Sequence, residues 1–407
     1  MPKKPAPSKK QPRVPAPPGR FAFPFFSPLP AARRPPNPQG NSGAAFAKIH
    51  LGPFPPKPKG NSQMALADII GAQGAAEIEK AGSLRFQSTG DTGRTSGNEQ
   101  QQVADAMGAD FDVNKSSANP AFFFHLGDVI YGHSKDLLYR DEFYRPYHRY
   151  PGKILAVPGN HDGETFTGTD PKPLGAFLSN FCAPTAKLAP QASAAGVFRE
   201  TMTQPGVYWM LDAPFVDVIG LYSNIAEGPG DLEGANGDRQ QIDWLNTTLG
   251  AIATARKSGK RKALIIGVHH PPFSAAGHSG SPEMLTQIDA ACKAAGIGPD
   301  VLISGHSHTY QRYTRSLTIA GKQFQVPYVV VGCGGHADQP VSATGQTTGD
   351  HKFDKAAQGY GYLNVTAEAN HLSIDFHLVL GPHGLAPAGG ARIFDSLKVD
   401  LVTGKLV

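Results

Sequence analysis

The strongest constraint on the fold is a series of short apolar runs, each cut off by a small or polar turn: Leu84–Ser88, Ala121–Leu126, Lys153–Val157, Val216–Tyr222, Lys262–Val268, Val301–Ser304 and Tyr328–Val331. Runs this short do not make helices, and their near-continuous apolar character suits strands covered on both faces. Between them, Arg239–Leu249 and Ser281–Ala295 have helical character, so the pattern reads as α/β. Met64, Leu66, Ile69, Ile70 and Ile78 follow a helical spacing behind Ser62, a residue type suited to capping, although Gly71 and Gly74 weaken that helix. Towards the end Leu363 and Val365, then Leu372, Ile374, Phe376 and Leu378, alternate with period 2 around Asn370, which predicts an antiparallel hairpin.

The polar residues that end these runs carry the functional signal. Five of the ends read Gly90-Asp91-Thr92-Gly93, Gly127-Asp128-Val129-Ile130-Tyr131, Gly159-Asn160-His161-Asp162, Val268-His269-His270-Pro271 and Gly305-His306-Ser307-His308. In an open α/β sheet, ligands bind outside the carboxyl ends of the strands. The pattern therefore delivers carboxylates, an amide, a phenol and imidazoles to one crevice. Such a set is hard and free of thiolate. It suits iron, manganese or zinc held as a pair rather than structural zinc. Cys182, Cys292 and Cys333 are too few and too scattered for a disulfide framework or a zinc ribbon and read as small buried residues. Two metals about 3.5–4 Å apart clamp the attacking and leaving oxygens of a phosphoryl displacement, and Asp128 is the candidate bridge. Taken singly, a Gly-Asp or His-x-His is usually a turn or a surface pair. Five such ends make coincidence a poor explanation.

In order along the chain, these motifs resemble the calcineurin-like metallophosphoesterases, and within them the purple acid phosphatase branch. The wider superfamily opens with Asp-x-His, whereas here Asp91 is followed by Thr92-Gly93 and Tyr131 stands three residues past Asp128, as in that branch. The resemblance runs from about Leu84 to Arg312. It implies a four-layer α/β/β/α sandwich of two mixed sheets. Asp91, Tyr131 and His308 would hold a ferric ion, and Asn160, His269 and His306 a divalent ion (iron, zinc or manganese), with Asp128 between them. In the doublet, His269 is taken as the ligand because the family places its ligand before x-Pro, which leaves His270 a neighbour. His161 and His278 would face the substrate, and Asp162 would orient a motif residue. His125 reads as a satisfied core or edge residue, and His336 has no motif context and is taken as structural.

The activity implied is hydrolysis of phosphate monoesters, small-molecule or protein, by a hydroxide on a dinuclear Fe(III)–M(II) centre. One alternative is a phosphodiesterase with two divalent ions; another is a non-catalytic binding module. The loop Gly163–Gly206 would wall the pocket.

Charge is unevenly spread. Residues 1–60 hold 11 of the 38 Lys and Arg, no acid, and 17 of the 36 prolines, leaving 27 basic against 33 acidic residues in the body, a formal −6. We expect a disordered basic Pro-rich tail over 1–60 and one phosphoesterase domain over 61–407. An acidic body does not favour a nucleic-acid partner, whereas the tail suits an anionic surface or a partner protein. No run approaches the 18 or so apolar residues of a spanning helix. The Met1 end lacks a secretory h-region, which points to the cytoplasm, although the family is often exported.

Overall fold

The protein is described by a computed structural model covering residues 19–20, 51–56, 60–94, 97–112, 114–131, 136–164, 173–259 and 261–407. Two sheets face one another. One joins β2 (Ser83–Thr89), β3 (Phe122–His125) and β4 (Lys153–Ala156) in parallel to an antiparallel ladder of β13 (Tyr360–Glu368), β14 (His371–Leu380), β15 (Arg392–Asp400) and β16 (Lys405–Leu406). The other runs from β1 (Gln63–Ala65) through β5 (Trp209–Ala213), β6 (Val216–Leu221), β7 (Ala263–Val268), β8 (Val301–Ser304), β10 (Lys322–Val331) and β9 (Tyr310–Ile319) to β12 (His351–Ala357) and β11 (Thr347–Thr348). Both sheets are mixed, and β6, β7, β8 and β10 form the parallel centre of the second.

Strand alternation divides the apolar residues among layers. In β7, Ala263 and Ile265 join the core between the sheets, with Phe122 and Phe124 of β3 and Leu363 and Val365 of β13. Leu264, Ile266 and Val268 point the other way, against Ile242, Leu245 and Leu249 of a helix over Gln240–Lys257 and Met284, Ile288 and Cys292 of one over Pro282–Ala295. On the far side, Val103, Ala104 and Met107 of the helix Glu99–Ala109 cover Phe123, Tyr360 and Tyr362. The result is the four-layer order helix, sheet, sheet, helix. No helix among the described residues is long and apolar enough to cross a membrane.

Every apolar run noted in the sequence lies on an observed strand, and the Asn370 hairpin pairs Leu363 with Phe376 and Val365 with Ile374. The first helix differs from expectation. Ser62 does not cap it; its carbonyl accepts the Met210 N–H, and Gln63–Ala65 add to the sheet edge beside β5. The helix spans Leu66–Ala81, where Asp68 accepts the Ala65 N–H at 2.7 Å, and Gly71 at φ 79° interrupts it. A residue in the left-handed region breaks the helical ladder, and glycine takes that conformation at low cost. In the loop expected to wall the pocket, Phe177 and Phe181 are buried in the outer core with Phe143, and residues 165–172 lie outside the described residues.

Most of the Pro-rich segment also lies outside the described residues, yet two parts of it touch the body. Arg20 donates to the Asn119 carbonyl at 3.2 Å. Gly52 donates to Asn224 Oδ1 at 2.7 Å and accepts from Ala235 N–H, while Phe54 stands edge-on to Tyr208 and Tyr222. A boundary at residue 60 cuts through these contacts. A chain starting at Gly60 is therefore expected to be about 3 kcal/mol less stable than one starting at Leu51, from the three hydrogen bonds at Gly52 that are lost and the uncovering of one aromatic. Equal thermal midpoints for the two chains would refute this.

Candidate metal centre

The parallel strands of both sheets end at one edge. There Gly90 N–H bonds Val331 O, Asp91 N–H bonds Gly127 O, and Gly305 N–H bonds His269 O, so the motif turns are tied to each other by main chain. Asp91, Asp128 and His306 have φ of 56°, 52° and 66°. Non-glycine residues in the left-handed region are uncommon and store strain, which turns these three side chains back towards a shared space. Gly127 makes room for it: a Cβ there would lie 2.6 Å from Gly159 N and 2.7 Å from His269 Nδ1.

Two groups of donors converge. In the first, the Tyr131 hydroxyl lies 3.1 Å from Asp91 Oδ1 and 3.1 Å from His308 Nε2, with 3.5 Å between the latter two atoms. In the second, His269 Nε2 lies 3.1 Å from Asn160 Oδ1, 3.2 Å from His306 Nδ1 and 3.3 Å from Asp128 Oδ2. The seven residues taken from the motifs thus lie together, Asp91, Tyr131 and His308 on one side and Asn160, His269, His306 and Asp128 on the other, and the Asp128 carboxylate also acts on the Tyr131 phenol.

All of these separations but the 3.5 Å between Asp91 and His308 match the edges of a coordination polyhedron, about 3.0–3.4 Å for metal–ligand bonds of about 2.1 Å. The ring nitrogens are prepared in the same sense. His308 Nδ1 donates to Ala337 O, His269 Nδ1 to Leu126 O, and His306 Nε2 to Glu227 O, at 2.8, 2.8 and 2.9 Å. Each bond fixes the ring and turns the other nitrogen towards the shared space, the usual support of a metal-binding imidazole.

The electrostatics also call for a cation. Asp91 and Asp128 are fully buried, and their ion-pair partners among the described residues are His308 and His269. Although burial opposes it, the nearby His269 and His161 hold the Asp128 carboxyl below its ordinary range. Burial together with the Asp91 and Asp128 carboxylates pushes the Tyr131 phenol well above its usual value. Burial beside His270 and His269 keeps His306 neutral. The donor set therefore fits a pair of hard or borderline cations.

The histidine doublet is divided by its contacts. His270 is buried with Nδ1 on Ser223 Oγ at 2.7 Å and Nε2 on Ala226 O at 2.9 Å, so both ring nitrogens are engaged away from the site. His125 is likewise satisfied in the core, with Nε2 on Thr92 Oγ1 at 2.8 Å and Nδ1 accepting from Gly127 N–H. Asp162 accepts from Gly159 and Val129 N–H, which orients the Asn160 turn.

His161 and His278 come to the donors from separate loops. His161 N–H bonds Asp128 Oδ1 at 3.0 Å and its Nδ1 lies 2.8 Å from Glu164 Oε2. Against the opposing effect of burial, the Asp128 and Glu164 carboxylates raise it to about 10. His278 reaches over the loop after β7 to within 4.3 Å of the His306 ring and 5.4 Å of the His308 ring, measured between centroids. Burial and His308 lower it to about 4.

Three neighbours had escaped the sequence reading. Glu164 pairs with His161, and Glu227 lies 3.4 Å from Asn160 Nδ2; no motif marks either. His336, taken as structural, stacks on Tyr131 with ring centroids 3.5 Å apart. The signal for it was present, because Gly332-Cys333-Gly334-Gly335-His336 is one more strand end where glycine leads to histidine.

Among solved structures, purple acid phosphatase PPD1 from yellow lupin (Lupinus luteus) seeds aligns at 15% identity and a TM-score of 0.50, over 78% of this chain and 54% of that one. The present chain thus spans about half the length of the lupin protein. PhoD aligns at 13% identity and a TM-score of 0.48, over 80% and 71% of the two chains. A dimetal phosphatase from Danio rerio aligns at 12% identity and a TM-score of 0.43, over 78% and 99%. No curated protein matches in sequence. The family described as calcineurin-like phosphoesterase matches residues 85–310, more than half of the chain and the whole stretch bearing the five motifs, and the chain belongs to that family.

Proposed function

We propose that the protein is a dinuclear metallophosphatase of the purple acid type that hydrolyses phosphate monoesters. The observation that carries this reading is the pair of donor groups on either side of Asp128 with a tyrosine in one of them. Asp91, Tyr131 and His308 would hold ferric iron; Asn160, His269 and His306 would hold iron, zinc or manganese. When bound, the metals supply Lewis acidity, which makes hydroxide available near neutral pH and offsets the charge of the phosphoester.

The chain's own residues do the rest. Glu164 orients His161 through Nδ1, so that Nε2 is the nitrogen left for substrate oxygen. His278 lies beside His306 and His308 on a different loop, so a phosphoester seated over the donors would have an imidazole from each loop. One of these two, His161 or His278, protonates the leaving oxygen as the general acid.

Metal analysis together with turnover of an aryl phosphate monoester and the matching diester tests the reading. We expect two metal equivalents, one of them iron, a preference for the monoester, and loss of turnover on chelation with recovery on adding metal back. Two divalent equivalents with a diester preference would establish the phosphodiesterase alternative. An inactive protein binding phosphate alone would make it a binding module.

A further inference from the structure

The loop after β10 brings a histidine that none of the five motifs includes. His336 is fixed at two points by the Asp91 loop: its N–H bonds Asp91 O at 2.8 Å, and its Nδ1 donates to Gly93 O at 2.8 Å. These bonds set both the ring plane and the tautomer. The plane lies 13° from that of Tyr131 with 3.5 Å between centroids, a close parallel stack. The His308 ring stands 5.0 Å away, nearly perpendicular, and the His161 ring is 4.5 Å from Tyr131. The main chain of Tyr131 is held separately, by donation from its N–H to Glu142 Oε2 at 2.7 Å.

The phenol oxygen lies on the Cβ–Cγ axis, so χ2 only spins the ring in place, and it is the swing about χ1 that decides whether the oxygen falls between Asp91 Oδ1 and His308 Nε2. The main-chain bond to Glu142 does not restrict it. A rigid imidazole on the ring face does, because a swing would drive one ring into the other. The same imidazole covers one face of the phenol ring.

We propose that His336 is a positioning residue that acts through Tyr131: it holds the phenol oxygen on the first donor group and keeps water from it. The inference rests on the reading of Tyr131 as a ferric ligand. It reaches beyond that reading by naming a residue outside the donor set.

Two substitutions separate the stack from the hydrogen bond. His336→Asn keeps a donor for Gly93 O and removes the ring; His336→Phe keeps an aromatic face and removes the donor. The readouts are the visible tyrosinate-to-iron band and iron affinity in the full-length, iron-loaded protein. In His336→Asn, water reaches the phenolate oxygen and stabilises its electron pair by donating to it, so the band moves to shorter wavelength. Iron affinity falls about tenfold, the scale of losing a group that supports a ligand. His336→Phe keeps the band near its wild-type position. A coloured wild type whose band and iron affinity are unchanged in His336→Asn overturns the role of His336 alone. A shift in the Phe variant equal to that in Asn shows that the Gly93 bond matters rather than the stack, and also overturns the proposal. A colourless iron-loaded wild type overturns both this inference and the reading of Tyr131 beneath it.

Discussion

His269→Ala is expected to lower turnover on the order of 10³-fold or more, the scale of removing one member of a catalytic unit, and to leave one metal equivalent weakly bound. His269 Nε2 is the meeting point of its donor group, with Asn160, His306 and Asp128 all within 3.3 Å. Alanine there leaves Asn160 and His306 without the atom that closes the set, and the Asp128 carboxylate loses its ion-pair partner. His270→Ala should behave differently. Its ring nitrogens hold Ser223 and Ala226, in the segment that leads to Glu227 and hence to the His306 ring. Losing it should lower the melting temperature and cost about 10–100-fold in activity through the support it gives, with two metal equivalents retained. Metal stoichiometry and kcat measured on both variants decide the point. Full metal content and activity in His269→Ala would show that the wrong member of the doublet has been assigned.

Tyr131→Phe should bleach the iron-loaded protein. Without metal, the hydroxyl sits between Asp91 Oδ1 and His308 Nε2, where burial and two carboxylates oppose loss of its proton. Only a strong Lewis acid reverses that balance, and ferric iron does so better than a divalent ion. Tyrosinate on ferric iron absorbs visible light by charge transfer, so colour reports the ligand and the oxidation state together. Phenylalanine keeps the ring and its stack on His336, so bleaching would not reflect a cavity. An unchanged band in the Phe variant, or a colourless iron-loaded wild type, would favour two divalent ions and the diester reading.

Much of the site was legible because strand ends in an α/β sheet are short, local and punctuated. A run such as Val301–Ser304 followed by Gly305-His306 declares both a buried strand and a turn that carries a donor, and neighbours in sequence are enough to see it. The Asn370 hairpin was legible for the same reason, since period 2 is a local property. The residues that were missed act across the fold. Phe54 finds Tyr208 and Tyr222 more than 150 positions away, and its Pro-rich surroundings suggested only an extended tail. Glu227 sits in a loop without a motif after β6 and comes beside Asn160, which follows β4 in the other sheet, only because the two sheets face one another.

The sequence alone therefore determined the strands, the order of the motif turns and the chemical kind of each donor, because backbone periodicity and turn chemistry are written in neighbouring residues; the four layers followed only from the resemblance those motifs carry. The tertiary structure decided which nitrogen of each imidazole turns towards the shared space, which histidine of the doublet faces the donors, and that His336 lies on Tyr131. Those depend on carbonyls and rings supplied from distant strands: Leu126 for His269, Ala337 for His308, Ser223 and Ala226 for His270, and the Asp91 loop for His336. A ring's orientation is set by the partner that its second nitrogen finds, and that partner exists only once the two sheets have closed on each other.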